Sequence, residues 1–396
     1  MITVAQAVQI ILSQAKDYGS ENIYFENALQ RVLAEDILAD RDLPPYNRVT
    51  MDGIAINFSA FEKGIRSFKI IATQAAGGKP PEIKNENECI EIMTGAALPS
   101  TTDTVIRYED LQITNGFALV QTNDITKSQN IHAKGRDKKK GETAATAGTF
   151  ITPSLIQMAA SVGKKDLLVK KLPRVVIISS GDELVEVNET PTPYQIRKSN
   201  NYTIKSALQR YRIHADMLHI PDDASVTQQQ IEKCLQQYDV IILSGGVSEG
   251  KFDYIPASLE TCGVKKLFHK VQQRPGKPFW FGKHANGVLV FAFPGNPVST
   301  FMCLHRYFFL WLEKSTGIAH QKMFAKLSED FVFKPQLQYF LQVKLHINEN
   351  AEMLATPVAG NGSGDFANLL DTDAFMELPL ERNNFTKGEV FRIWKF

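Results

Sequence analysis

The sequence predicts a multidomain α/β protein built around a three-layer α/β domain at residues 174–326, with an elongated N-terminal α+β domain, a β-rich inserted domain and a C-terminal β-barrel. Three observations predict it. Between residues 174 and 317, short apolar runs rich in β-branched residues alternate with helix-length segments, the pattern of a mainly parallel sheet covered on both faces. Residues 58–141 read instead as short strands cut by Gly77-Gly78, Pro80-Pro81 and Asn115-Gly116. Beyond Leu327 an alternating pattern, Tyr339, Leu341, Val343 and Leu345, leads to a final strand at 389–396, as in a small barrel.

Composition excludes several function classes. With 44 Lys and Arg against 43 Asp and Glu, the net charge of +1 offers no global field for nucleic acid or an anionic membrane, so any anion site must be local. The apolar runs are far short of a membrane span and residues 1–12 lack a positive, signal-like start, which predicts a cytoplasmic protein. Cys89, Cys234, Cys262 and Cys303 lie far apart without Cys-x-x-Cys spacing, so reduced structural thiols and no zinc site are expected.

Taken in order, Val4, Ala7, Val8, Ile11, Leu12 and Ala15 recur at helical spacing up to Gly19 and predict an amphipathic helix. Residues 22–38 read as extended. Pro44 and Pro45 then restrict the approach to Asp52-Gly53, which puts a carboxylate at a sharp bend; an ordinary Asx-type turn is the plainer account. Thr94 sets a hydroxyl beside Gly95 at a strand end. Lys134 to Lys140 is the one dense basic run, by default a solvated surface loop, and Asp137, a lone carboxylate among its cations, could lock the loop or aim it at a metal. A short helix at 153–163 and a strand at 166–171 differ from the β-rich segment and predict that the chain returns to its first domain. The expected boundaries are 1–45 plus 142–173, 46–141, 174–326 and 327–396.

The α/β domain carries most of the chemistry. Val240, Ile241, Ile242 and Leu243 form a buried strand ending in Ser244, Gly245 and Gly246, where missing side chains let backbone N–H groups approach an anion; a plain tight turn is the alternative. Val175 to Ile178 likewise run into Ser180, Gly181, Asp182 and Glu183. Glu183, Asp222 and Asp253 each follow a strand, so three carboxylates could share the carboxyl edge where open sheets bind ligands. Hard oxygen ligands without His or Cys suit Mg2+, unless each carboxylate merely caps its own helix or turn. Lys270, Arg274 and Lys277 surround a proline-restricted turn with positive charge. A further strand runs into Pro294, Gly295, Asn296 and Pro297, where helix initiation and anion binding are both open.

Eight ordered segments, LPPYNRVTMDGIA, IMTGAALP, the GRD loop, SSGDEL, LSGGVSEGKFD, RPGKPFWFGK, FPGNPVS and NGSGD, span nearly the whole chain. Together they resemble the molybdopterin molybdenumtransferase family, which includes bacterial MoeA and the E domain of gephyrin. The resemblance implies four domains, with 174–326 the molybdopterin-binding one. It also implies molybdenum insertion into adenylylated molybdopterin, using molybdate and Mg2+ and releasing AMP. Matched motif by motif, it implies catalytic roles for Asp52, Thr94, Asp137, Glu183, Asp253, Lys270 and Arg274. Glu183, Asp222 and Asp253 would hold Mg2+. Ser180, Gly181, Asp182, Ser244, Gly245, Gly246, Lys277, Pro294, Gly295, Asn296, Pro297 and Ser363 would bind substrate. A homodimer with a pocket shared between subunits is implied as well, with a molybdopterin adenylyltransferase as substrate donor.

The chain departs from the family pattern at Asn47 to Thr50, Ile54 and Glu249, which bears on substrate positioning. Two other classes of function are compatible with parts of the sequence. A molybdopterin adenylyltransferase would need only the α/β domain, and a gephyrin-like scaffold would need no strand-end carboxylates.

Overall fold

A computed structural model of the chain describes residues 1–247, 254–358, 360 and 362–396. It divides into two compact units, one of Met1–Ile23, Gln30–Ala34 and Leu168–Phe396, the other of Tyr24–Leu29 and Glu35–Leu167. No described helix is long and apolar enough to cross a membrane.

In the first unit a six-stranded sheet comprises β1 (Val175–Ser180), β2 (Asp216–Ile220), β3 (Val240–Ser244), β4 (Val264–His269), β5 (Trp280–His284) and β6 (Leu289–Phe293). Their order across the sheet is β2-β1-β3-β6-β5-β4. β1, β2, β3 and β6 are parallel, whereas β5 and β4 run antiparallel at one edge, so the sheet is mixed. Alternate side chains divide between two cores. Val175, Ile177, Val240, Ile242 and Phe291 pack with α1 (Asn200–Gln209), while Val176, Ile178, Ile241, Leu243 and Val290 meet α2 (Ala224–Gln237) and α3 (Tyr254–Thr261). This is the expected three-layer arrangement. Each fully buried aliphatic side chain contributes about 1.5–3 kcal/mol relative to exposure.

After β6 the chain enters α4 (Pro297–Cys303), one π turn at Leu304–Phe308, and α5 (Phe309–Thr316). A uniform helical pattern gave no sign of that turn. It carries Tyr307 and Phe308, both fully buried against a cluster that includes Phe279, Phe291 and Trp311. The N-terminal helix Val4–Ser13 packs Val4, Ala7 and Ile11 on the same side, capped reciprocally by Thr3 and Gln6. It ends well before Gly19, whose N–H is instead taken by the Asp17 carboxylate in a turn, 2.8 Å. The expected extended stretch at 22–38 is likewise interrupted, by a turn of 3-10 helix at Phe25–Asn27.

The C-terminal strands β7 (Met323–Leu327), β8 (Gln338–Ile347), β9 (Met353–Pro357), β10 (Ala374–Leu378) and β11 (Val390–Lys395) close into a five-strand barrel, ordered β8-β9-β7-β11-β10 and back to β8. Its interior holds Leu341, Val343, Ala355, Met376 and Ile393. Gln273–Arg274 adds to its edge, in parallel register with Gln338 and Tyr339.

The second unit contains its own six-stranded sheet, in the order Thr104–Arg107, Gly53–Ile56, Glu88–Ile92, Ser67–Gln74, Phe117–Val120 and Leu111–Thr114. Ile54, Phe61, Phe68 and Ile106 fill one face, and Val49, Ala55, Ile92 and Val105 the other. Helix Pro153–Ser161 starts on proline behind the Thr152 cap.

Candidate active site

The order β2-β1-β3-β6 makes a topological switch between β1 and β3, because the connection after β1 runs to β2 on one side while the connection after β3 runs toward β6 on the other; a crevice forms where strand order reverses in this way. Register aligns Ser179 with Ser244 and Ser244 with Phe293, bringing three strand ends to one edge. A cavity of about 710 Å³ opens there, lined by Ser180, Glu183, Ser244, Gly245, Asn296 and Pro297 among others. Asp182, Asp222 and Lys270 do not line it.

The floor of this cavity is cross-tied by polar side chains that strand patterning does not reveal. Asn200, the first residue of α1, donates through Nδ2 to Ser244 Oγ and to the Gly295 carbonyl, both at 2.8 Å. Asn201 Nδ2 donates to buried Ser179 Oγ at 3.0 Å, and Ser179 Oγ lies 3.1 Å from His219 Nδ1. Burial, with Lys198 nearby, lowers the His219 pKa, which favours the neutral ring. The legible signal was the polar run Arg197 to Asn201 at a helix start, which reads by default as capping. Ser199 at the cap makes no capping side-chain bond, leaving the two asparagines as ties.

Glu183 folds back over Gly181: a methyl group on Gly181 would lie 2.3 Å from the carboxylate. The loops after β1 and β2 lock together reciprocally. Asp222 N–H donates to Asp182 Oδ1 at 3.1 Å, and Asp182 N–H to Asp222 Oδ2 at 3.4 Å. Asp223 has a different task, accepting the Val226 N–H at 2.9 Å to cap α2, so the Asp222-Asp223 pair splits its roles. Asp253 and Glu249 lie outside the described residues. Among the described residues no three His, Cys, Asp or Glu side chains cluster as a metal cage.

Gly246 shows how closely the elements approach. At φ 65°, it would put a methyl group 2.5 Å from Ile255 Cδ1 and 2.7 Å from Ser180 Oγ. Gly246→Ala is therefore expected to cost about 1–3 kcal/mol, by overpacking and left-handed backbone strain. A urea midpoint equal to that of the wild type would refute this packing.

A second cavity of about 320 Å³ adjoins the first at Asn296, which lines both. Its wall includes Arg274, Lys277, Pro294 and Ser363. Arg274 and Lys277 are exposed, while the backbone between them is held from beneath: Gln273, fully buried, donates to the Gly276 carbonyl at 2.9 Å and accepts from the Tyr307 hydroxyl. The barrel loop closes this corner. Asn296 Nδ2 donates to Ser363 Oγ at 2.8 Å, and Val298 N–H to the Ser363 carbonyl at 3.1 Å. One of the helix-start N–H groups expected to face a ligand is thus used by the protein itself. Lys270 is displaced from both cavities, its backbone tying Ile2 to Phe279.

In the second unit, Asp52 Oδ1 accepts the Thr94 N–H at 2.6 Å, which holds the carboxyl below its usual range. Asp137 lies 2.8 Å from His132 Nε2, a contact with an imidazole rather than with the basic run around it. His132 pairs in register with Arg48, just ahead of the Asp52 bend, while Gly95 N–H donates to Val49. The three residues singled out here therefore occupy neighbouring segments of one unit.

Three family models match the chain: the MoeA N-terminal region (domain I and II) at residues 2–163, a probable molybdopterin binding domain at 176–314, and the MoeA C-terminal region (domain IV) at 325–396. The chain is 38% identical to a molybdopterin molybdenumtransferase of Synechocystis over 99% of both chains. It is 28% identical to one of Staphylococcus aureus, covering 99% of this chain and 95% of that one. Among solved structures, a molybdopterin biosynthesis MoeA protein of Pyrococcus horikoshii OT3 superposes with a TM-score of 0.83 at 26% identity, covering 100% of both chains.

Proposed function

Since the chain belongs to the molybdopterin molybdenumtransferase family, a family of transferase enzymes of molybdenum cofactor biosynthesis, we propose that it inserts molybdenum into molybdopterin, with adenylylated molybdopterin and molybdate as substrates and AMP as a product. The observation that carries this reading is the pair of adjoining cavities sharing Asn296, one at glycine-rich strand ends and the other lined by Arg274 and Lys277. The larger suits a phosphate-linked organic substrate, and the smaller, cationic one suits a tetrahedral dianion.

In this reading Ser180, Ser244, Gly245, Gly295 and Pro297, which line the larger cavity, bind the adenylylated substrate at the strand ends, with Gly181, Asp182 and Gly246 in the loops beside it and Pro294 on the wall of the smaller cavity. Arg274, Lys277 and Ser363 hold molybdate against that substrate. Asn296 bridges the two and fixes Ser363, so the dithiolene and the oxyanion meet without a search in solution, a gain in effective concentration. Fixed cations beside the oxyanion require no reorganisation as charge shifts. Lys270, which lines neither cavity, supplies a further catalytic cation in this reading. The phosphoanhydride is cleaved between its phosphates by attack of a water oxygen, so AMP leaves and the pterin keeps its own phosphate, while one molybdate oxygen departs as water with the two dithiol protons as both sulfurs bind molybdenum. The carboxylates of Glu183, Asp222 and Asp253 offer hard oxygen donors, which fit Mg2+ shared with substrate phosphate. When bound, that ion would neutralise charge on the pyrophosphate.

Asp52, Thr94 and Asp137 would complete the pocket of the other subunit in a homodimer, with a molybdopterin adenylyltransferase as donor of the substrate. The four-domain division at residues 45, 141, 173 and 326 belongs to the same reading, as does a cytoplasmic location.

The test is to incubate the protein with adenylylated molybdopterin, Mg2+ and molybdate, measuring AMP and active cofactor. AMP release that rises with molybdate is expected, and chelation of Mg2+ is expected to stop it. Hydrolysis indifferent to molybdate would overturn insertion.

A further inference from the structure

We infer that Gln273 and Tyr307 are positioning residues that set how tightly the turn at residues 274–277 holds an oxyanion, an inference that rests on the smaller cavity being the molybdate site. Both side chains are 0% exposed, so they act through the turn and not on the ligand. Tyr307 belongs to an apolar cluster with Phe279, Met302, Cys303 and Leu304. A polar group in such a place costs stability unless it is hydrogen-bonded, so what the pair contributes is direction more than buried area.

The Gln273 amide is used at both ends. Its Nε2 donates to the Gly276 carbonyl at 2.9 Å and lies 3.7 Å from Cys303 Sγ, while its Oε1 accepts the Tyr307 hydroxyl. Rotating the amide by half a turn would set its oxygen against the Gly276 carbonyl, so only one orientation satisfies the contacts. Burial pushes the Tyr307 phenol well above its ordinary pKa, which keeps the proton it donates. Tyr307 reaches Gln273 from the π turn at Leu304–Phe308, a rare local structure that recurs at functional sites.

What the tie fixes is the peptide between the two cations. The bond joining Gly276 to Lys277 is trans, so with its carbonyl turned toward buried Gln273 its N–H points the opposite way. A carbonyl dipole facing the ligand would repel an anion; the tie turns that dipole away. Among the described residues no acceptor takes the Lys277 N–H, while the Lys277 carbonyl closes the base of the turn by accepting the Val271 N–H at 2.9 Å. Gly276 makes the close approach possible: at φ 83°, a methyl group there would lie 2.7 Å from Cys303 Sγ and 2.9 Å from Gln273 Nε2. Donors and charges oriented before the ligand arrives hold it without reorganisation.

The experiment titrates molybdate, and separately AMP, into wild type, Tyr307→Phe and the Gln273→Met/Tyr307→Phe double variant by isothermal calorimetry, beside thermal melts. Replacing both partners of a buried hydrogen bond by apolar groups of similar shape is nearly neutral for stability, so the double variant should melt close to wild type. Molybdate is expected to bind the double variant about tenfold more weakly, the scale of one well-placed hydrogen bond, with AMP binding unchanged. In turnover, KM for molybdate rises and KM for the adenylylated substrate does not. A merely structural role would weaken both ligands together or lower the melting temperature, and that result overturns the inference. Equal molybdate binding by all three proteins removes the tie alone and leaves the functional reading standing. If wild type itself binds no molybdate, the smaller cavity is not the oxyanion site, and the reading and the inference fall together. Should the double variant melt early, Tyr307→Phe, which loses a single oxygen atom, is judged by the same criteria.

Discussion

Replacing Arg274 and Lys277 together by alanine is expected to lower formation of active cofactor at least about a hundredfold, the usual scale for removing preorganised charge from a developing oxyanion. Both side chains are exposed, and the turn between them is held by buried Gln273 and Tyr307, so the fold should persist with stability changes within about 0.5 kcal/mol. Arg274 stands 6.0 Å over the Phe333 ring, a contact too long to matter much for stability. The expected signature is a loss that high molybdate recovers only in part, because excess dianion restores occupancy but not the stabilisation of developing charge. Arg274→Lys should fall between, keeping charge but losing the guanidinium fork. Turnover by the double variant at the wild-type rate under limiting molybdate would show that this cavity is not the oxyanion site.

The α/β domain was legible because buried parallel strands leave a strong signal: Val175 to Ile178 and Val240 to Leu243 have no polar break and end abruptly in Ser and Gly. Strand ends must then meet at one edge, so the presence of Ser180, Glu183, Ser244, Gly245 and Asn296 around one cavity follows from topology. Three-dimensional ties were not legible. Nothing in the spacing of Asn200, Ser244 and Gly295 announces that one amide joins all three, because each contact crosses elements distant in sequence. The same limit applies to Ser363: its glycine-rich setting marked the loop, but only barrel closure brings it to Asn296. Lys270 was marked only by its position among cations; its backbone ties Ile2 to Phe279, a pairing across distant segments that the run of charges does not announce.

Mixed dimers of Asp52→Ala and Lys277→Ala chains are expected to regain activity that neither parent homodimer has. Asp52 belongs to the second compact unit and Lys277 to the first, and the proposed pocket draws the two from different subunits. Asp52→Ala removes the acceptor of the Thr94 N–H, a solvent-exposed contact, so its effect should fall on turnover and leave the sheet intact. In a heterodimer, one composite pocket then contains both defects and the other contains neither. Two-fold symmetry makes half the dimers in an equal random mixture heterodimeric, so about a quarter of all pockets should work. Co-expression with two affinity tags and sequential purification isolates the heterodimer, in which the expected fraction rises to about one half. An inactive, verified heterodimer would mean that Asp52 serves the pocket of its own subunit or none. Strong activity in the Asp52→Ala homodimer alone would remove the residue from the reaction altogether.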